Sequence, residues 1–378
     1  MDRCTKFKVF NCLLLLCVAN FLLYRYFNQP ATIQALVTPN SNRLYNNPKN
    51  SSLQRNQPSP DIAVVKLASV HNSSNVLEPL ITSKNESNKP EEESSFVSSM
   101  TLPLCPLVPP RLNGPLATYS EASNLEDIAA ENAGLQRGGR FKPPDCTARH
   151  RVAIIIPYRN RAEHLKILLK NLHPILGRQQ LDYGIYVIDQ ALPGKFNRAM
   201  LMNIGYAEAM KRYDYQCAIF HDVDLIPEND RNIYSCPEQP RHLSAAIDKF
   251  NYRLPYDGIY GGVSAINKEH FEKINGFSNM FFGWGGEDDD MASRIRHAGL
   301  SITRYPMEIA RYRMIKHSKD SGNEQNPQRF ALLKTTTQRM AADGLNSLVY
   351  TVQGVDELPT HLRISVYINE TLMLNQQT

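Results

Sequence analysis

The sequence predicts an α/β domain with a mostly parallel sheet, set behind a membrane anchor and an unfolded stem. Three observations predict it. From residue 152 onward, apolar runs of strand length alternate with stretches of helical spacing, the pattern of parallel strands joined by helices. An apolar block from Val9 to Tyr24 follows directly on Arg3, Lys6 and Lys8. Between the two lies a polar tract with no sustained apolar period, which ends near Cys105. At 378 residues the chain has room for one large domain or two ordinary ones. Its net charge of +5 is not gathered into a patch, so nothing points to nucleic acid.

Taken in order, residues 1–8 read as a cytoplasmic tail and 9–27 as an uncleaved signal anchor. The apolar core is short against the ~20 residues that span a bilayer, a deficit that flanking residues and a thin membrane can absorb. The basic N-terminal flank orients that end toward the cytoplasm. A cleaved signal peptide is the competing reading, but Val18-Ala19-Asn20-Phe21 offers no small-x-small cleavage site. Residues 28–104, rich in Asn, Ser, Pro and Glu, cannot bury enough surface to fold and read as a lumenal stem. Beyond the anchor, Cys105, Cys146, Cys217 and Cys236 suggest two disulfides with three possible pairings, in an oxidising compartment. Sequons at Asn50, Asn72, Asn85 and Asn369 agree with a secretory location.

In the folded part, 105–378, the run VAIIIP (152–157) is a buried strand and AEHLKILLKNLHPIL keeps helical spacing at Leu165, Leu168, Leu169 and Leu172. YGIYVID (183–189) is a second strand, FNRAMLMNIGYAEAMKR (196–212) a helix, and CAIFHDVDLIP (217–227) a third strand. Ligands of such sheets sit at the carboxyl ends of the strands, and here those ends read PYRNR, DQ and DVD. Asp222 and Asp224, two apart on an extended chain, can lean to one side and suit a divalent cation with a diphosphate. A turn-forming Asp pair is the plain alternative. Arg159 and Arg161 suit phosphate, and Phe196 with Arg198 opens a helix where a base and an anion could sit. Met314 and His317 are an odd pair for a hard cation but acceptable to a softer first-row ion. The run GWGGEDDD (283–290) crowds four carboxylates beside the only tryptophan, Trp284. DDDMASRIRHAG has the charge order and the glycine of a helix from start to finish. A helix turns about 100° per residue, so these carboxylates must face different ways.

Taken together, FNRAMLMNIG, DVDLIP, GWGGEDDD, MIKHS, PQRF and DGLNSL, in this order across roughly 105–355, resemble the β-1,4-galactosyltransferases and their N-acetylgalactosaminyl-transferring relatives. The resemblance implies a GT-A type nucleotide-diphospho-sugar transferase domain with a Rossmann-like mixed sheet, in a Golgi type II membrane protein. It implies that Pro157, Arg159, Arg161, Phe196, Arg198, Asp222, Val223, Lys249, Trp284 and Glu287 form the nucleotide-sugar pocket. Asp224, Met314 and His317 would hold Mn2+, and Asp288 would be the general base. Tyr256, Ile259, Gly286, Asp288, Asp289, Arg329 and Phe330 would face a GlcNAc-terminated acceptor. The implied disulfides are Cys105–Cys146 and Cys217–Cys236. The chemistry implied is an inverting single displacement, with Gly283, Gly285 and Gly286 freeing the tryptophan loop to close over the donor. An accessory protein or a homodimer remains open.

One departure bears on the sugar. Members that prefer galactose carry a tyrosine just before an aromatic-Gly-Gly, where it crowds the sugar's 2-position. Here Ile259 precedes Tyr260, Gly261 and Gly262. The smaller side chain leaves room for an N-acetyl group, so the expected donor is UDP-GalNAc, with UDP-Gal the alternative. A non-enzymatic glycan-binding adhesion protein would have no reason to keep a metal set and a base together. A hydrolase lacks a second acid placed for the leaving group.

Overall fold

The computed structural model describes residues 102–316 and 323–375. Its central sheet is organised around β2 (Arg151–Tyr158), β3 (Asp182–Gln190), β4 (Cys217–His221), β8 (Val263–Asn267) and β11 (Leu362–Tyr367). With the edge strands β6 (Arg241–His242) and β10 (Thr351–Glu357), the order is β10-β11-β3-β2-β4-β8-β6, and β1 (Arg140–Phe141) also pairs with β3. The four strands β11, β3, β2 and β4 run parallel, while β10, β8, β6 and β1 are antiparallel to their neighbours. The sheet is therefore mixed, with a parallel centre.

The apolar runs are continuous because both faces are covered. Val152, Ile154, Ile156 and Tyr158 of β2 join one core with Leu165, Leu168, Leu169, Leu172 and Leu176 of α2 (Ala162–Arg178). Ala153 and Ile155, on the alternate face, join a second core with Ala199, Met200, Leu201, Met202 and Ile204 of α3 (Arg198–Arg212) and Phe271 of α4 (Lys268–Lys273). A short helix, α1 (Leu125–Glu131), adds Ile128 to the first core.

The expected strand 217–227 is two strands. β4 stops at His221, and β5 (Leu225–Pro227) belongs to a second, three-stranded sheet of order β5-β9-β7, with β7 (Ala246–Ile247) and β9 (Arg311–Met314). Asp222 and Asp224 thus flank a turn between sheets rather than a straight extended segment. Asp222 N–H bonds to Gly262 O at 3.2 Å, the last contact in the register of β4 with β8 before the chain turns away. The pairing of β5 with β9 sets Leu225 opposite Met314.

α5 (Glu287–His297) starts at Gly286, whose φ of 95° lies in the left-handed region that glycine adopts without strain. The helix ends before Gly299 at φ 75°. Both implied disulfides are present, Cys105–Cys146 and Cys217–Cys236, with Cα separations of 4.9 and 5.3 Å. Asn369 is exposed and caps α8 (Glu370–Asn375), accepting from Leu372 N–H at 3.0 Å. Two more short helices, α6 (Arg329–Lys334) and α7 (Thr336–Arg339), pack on α5. The expected tail, anchor and stem, with Asn50, Asn72 and Asn85, lie outside the described residues, as does His317. Among the described residues no helix is long and apolar enough to cross a membrane.

Candidate functional site

A cavity of about 350 Å³ opens at the carboxyl ends of β2 and β4. Its wall contains every residue expected on the nucleotide-sugar side: Pro157, Arg159, Arg161, Phe196, Arg198, Asp222, Val223, Lys249, Trp284 and Glu287. Asp224, Asp288 and Met314 line it too. Sequence reasoning missed Asn160, His164 and Asn323. Asn160 carried a readable signal, since the turn PYRNR must reverse between β2 and α2, and asparagine tolerates the left-handed φ of 53° it adopts there.

The centre of the site is Arg198. Asn197 caps α3, its Oδ1 accepting from Met200 N–H at 2.9 Å, and so fixes where the following arginine departs. Arg198 Nε donates to Asp222 Oδ1 at 2.6 Å and Nη1 to Asp288 Oδ1 at 2.6 Å, with Glu287 Oε1 at 3.5 Å. One guanidinium therefore ties a strand-end carboxylate to the first turn of α5. Burial alone would lower its pKa, but Asp222, Asp288 and Glu287 outweigh burial and raise it. The carboxylates are pushed the other way. Burial raises Asp222, reinforced by the charges of Asp224 and Asp288 and opposed by Arg198. Burial also raises Glu287, with Asp288 adding to it.

Beside these acids lies a donor pair that a divalent cation fits. Asp224 and Met314 are brought together by the β5–β9 pairing, with Ile315 N–H bonded to Asp224 O at 2.8 Å. Met314 is itself held by Asp248 Oδ1, which accepts from its N–H at 2.9 Å. A carboxylate and a thioether suit a first-row ion better than Mg2+. The third expected ligand, His317, lies outside the described residues. Glu287 Oε2 is buried with no hydrogen-bond partner among the described residues, a cost that a bound hydroxyl donor would remove.

The four consecutive acids separate as the helical turn demands. Glu287 and Asp288 meet Arg198. Asp289 Oδ1 accepts from Tyr256 Oη at 2.8 Å. Asp290 is fully buried and accepts from Arg294 Nε at 2.7 Å and Thr336 Oγ1 at 2.6 Å. The expected acceptor-side residues Tyr256, Ile259, Gly286, Asp289, Arg329 and Phe330 are not part of the cavity wall. Several meet around the start of α5: Tyr256 bonds Asp289, a Cβ on Gly286 would lie 3.0 Å from Arg329 Cβ, and the Arg329 guanidinium sits 4.4 Å from the Phe330 ring centre. Tyr256, Trp284 and Phe330 are exposed.

The tryptophan loop is more constrained than its glycines suggest. Trp284 N–H donates to Glu324 O at 2.8 Å, and Trp284 O accepts from Asn326 N–H at 2.9 Å. A Cβ on Gly283 would lie 2.5 Å from Glu324 O. Gly283 therefore serves close backbone packing as well as freedom, and any closure must carry 324–326 along.

Residues 105–237 match the model of the N-terminal region of glycosyl transferase group 7, and residues 241–318 that of the N-terminal domain of galactosyltransferase. The chain is 54% identical over 270 residues to beta-1,4-galactosyltransferase 1 of Mus musculus, covering 71% of this chain and 68% of that one. The chain belongs to the β-1,4-galactosyltransferase family. A second family member, beta-1,4-galactosyltransferase 2 of Cricetulus griseus, is 43% identical over 376 residues, 98% of this chain and 97% of its own length. Among solved structures, the Drosophila beta-1,4-galactosyltransferase 7 mutant in complex with manganese, UDP-Gal and xylobiose is similar at 28% identity and a TM-score of 0.50, covering 58% of this chain and 94% of that one. As a member of this family the chain is a hexosyltransferase with a GT-A type α/β fold. These relatives are named for galactose, which supports glycosyl transfer and does not bear out the N-acetylgalactosamine expected from Ile259.

Proposed function

We propose that this chain moves a hexose from a UDP-sugar, in β-1,4 linkage with inversion, onto the terminal N-acetylglucosamine of a glycan. The relatives' names support galactose as the sugar and UDP-Gal as the donor. The observation that carries the reading is the Arg198 junction, which joins Asp222 on the donor side to Asp288 at the start of α5. Asp288 takes the proton of the attacking acceptor hydroxyl as its general base. Glu287 turns its unpartnered oxygen to a donor-sugar hydroxyl. Arg159, Arg161 and Lys249 meet the diphosphate, and Phe196 the nucleoside. Asp224, Met314 and His317 hold Mn2+, which supplies Lewis-acid stabilisation of the leaving diphosphate. Tyr256, Trp284, Asp289, Arg329 and Phe330 bind the acceptor sugar, with the tryptophan excluding water from the donor.

A second reading, transfer of N-acetylgalactosamine, is favoured by Ile259, because a tyrosine there would narrow the space beside the sugar's 2-position. A crowded pocket costs about 1–3 kcal/mol. Purified lumenal domain assayed with UDP-Gal and UDP-GalNAc on a GlcNAc acceptor, with and without EDTA, tests both readings. Galactose transfer that stops in EDTA supports the first, and a higher kcat/KM for UDP-GalNAc, reversed by Ile259→Tyr, supports the second. Transfer of neither sugar, or transfer indifferent to EDTA, would reject the mechanism. We also propose a Golgi type II topology with the catalytic domain in the lumen, a placement supported by the two disulfides. Protease digestion of that domain in sealed vesicles without detergent would contradict it.

A further inference from the structure

Residues 257–261 run beside Asp288 with no regular secondary structure, yet their carbonyls are gripped one after another. Arg304 Nη2 donates to Asp257 O at 2.9 Å and to Ile259 O at 2.8 Å. Arg296, in the last turn of α5, donates to Gly258 O at 3.2 Å. Arg304 Nε also donates to His242 Nδ1 at 3.2 Å. An arginine has no acceptor, so this contact fixes the tautomer of the buried ring: the proton sits on Nε2, which donates to Gly261 O at 2.8 Å. Ser244 Oγ reaches the same carbonyl at 3.2 Å. The chain then touches the reacting centre, because a Cβ on Gly261 would lie 2.2 Å from Asp288 Oδ2. Between the two contacts, Tyr260 is buried and anchored by its hydroxyl to Ala265 O at 3.0 Å, while Ile259 is half-buried.

We propose that Arg304 is a positioning residue: with His242 it sets the distance of residues 257–261 from Asp288, and so how strictly position 259 reads the substituent at C2 of the donor sugar. The inference rests on the hexosyl transfer proposed above. Arg304 lies outside the cavity wall. It acts by holding a backbone that has no ladder of its own. Lysine in its place keeps the charge, but its three donors sit on one nitrogen and lack the planar fork that spans two carbonyls and a ring nitrogen at once.

The test is a cycle of Arg304→Lys, Ile259→Tyr and the double variant, read as the ratio of kcat/KM for UDP-Gal over UDP-GalNAc. In the parent, Ile259→Tyr is expected to shift that ratio by about tenfold or more. In the Arg304→Lys background the same substitution is expected to shift it at least about threefold less, because the residue no longer sits at a fixed distance. Hydrogen exchange of amides 256–263 should quicken in Arg304→Lys, with UDP binding unchanged. A merely structural arginine would lower Tm and both rates together and leave the Ile259→Tyr shift intact. That result, or unchanged exchange at 256–263, overturns the proposal. Absence of hexose transfer in the parent rejects the functional reading instead, and the exchange measurement still decides the positioning role. If Arg304→Lys fails to fold, Arg296→Lys, which loosens Gly258 O alone, is expected to give the same effects more weakly, and an unmoved cycle there overturns the idea.

Discussion

Two clusters of carboxylates and guanidiniums lie at either side of the first turn of α5, and they are built to opposite specifications. Behind the turn, Asp290 and Asp343 meet Arg294 and Arg339, two charges against two. Arg294 is fully buried and satisfied: Nε on Asp290, Nη1 on Asp343 O at 2.7 Å, Nη2 on Asp343 Oδ2 at 3.3 Å. Thr336 and Ser278 hydroxyls and the Asn279 N–H fill the remaining acceptor positions. In front of the turn, Asp222, Glu287 and Asp288 share Arg198, and burial, with the neighbouring acids, pushes Asp222 and Glu287 above their ordinary range. The balanced cluster fixes the helix. The unbalanced one sets three carboxylates against one guanidinium and leaves Glu287 Oε2 without a donor, which a hydroxyl-bearing substrate can supply.

The largest effect should come from the front. Asp288→Asn is expected to cut transfer by about two to four orders of magnitude, with UDP binding and Tm nearly unchanged. A near-parental rate would move the base to another acid and dissolve the contrast. Behind the turn, Arg294→Met leaves two buried carboxylates to Arg339 alone, and denaturant unfolding should register a loss of about 3 kcal/mol. A stable variant would mean that the rear cluster does not hold the helix.

Acid probes burial that has no counter-charge. His173 bonds Tyr183 Oη at 2.8 Å and Thr360 O at 3.0 Å, and burial lowers its pKa to about 4. Burial first, then the neighbouring His173 and Arg363, lowers His361 to about 3. Both rings are neutral when folded and take up protons when unfolded below the ordinary value of 6.5. Stability is therefore whole above that pH and falls as pH drops toward 4, by up to about 1.4 kcal/mol per unit for each ring. His361→Gln should flatten the Tm–pH slope over this window, and an unchanged slope would exclude its part. The smallest effect sharpens the comparison most. Glu287→Gln relieves a raised carboxylate, so in EDTA and without donor it should hold or raise Tm by about 1–3 °C while transfer falls. A clear drop in Tm would place Glu287 with the structural acids.

The strands were legible where their apolar runs are continuous: 152–157 and 183–189 fall inside β2 and β3 with a residue or two to spare. Motif order ties the residues expected on the nucleotide-sugar side to one family, and they share one cavity wall, whereas Asn160, His164 and Asn323 of the same wall went unread. Asp222 and Asp224 were misread as extended because the apolar Leu225-Ile226-Pro227 continues the pattern while the chain changes sheets. The fates of the acids at 287–290 were hidden for another reason. Spacing says that they diverge, but Asp290 finds Thr336 and Arg339 more than forty residues away, and only packing chooses such partners. The Arg304–His242 relay was invisible for the same reason, since it acts on carbonyls, which every residue carries.

The position of β11 has a consequence in time. Leu362–Tyr367 lies parallel to β3 from Tyr186 to Gln190, so β3 waits during synthesis for residues made much later to cover its edge. Until they emerge, β3 presents unpaired backbone and an apolar face, the kind of edge that recruits strands from other chains. A nascent chain stopped at Pro359 is therefore expected to be protease-sensitive and to depend on chaperones, whereas one carrying Tyr367 clear of the ribosome should resist digestion. Resistance of the shorter chain would show that the half-built sheet is stable without its closing strand.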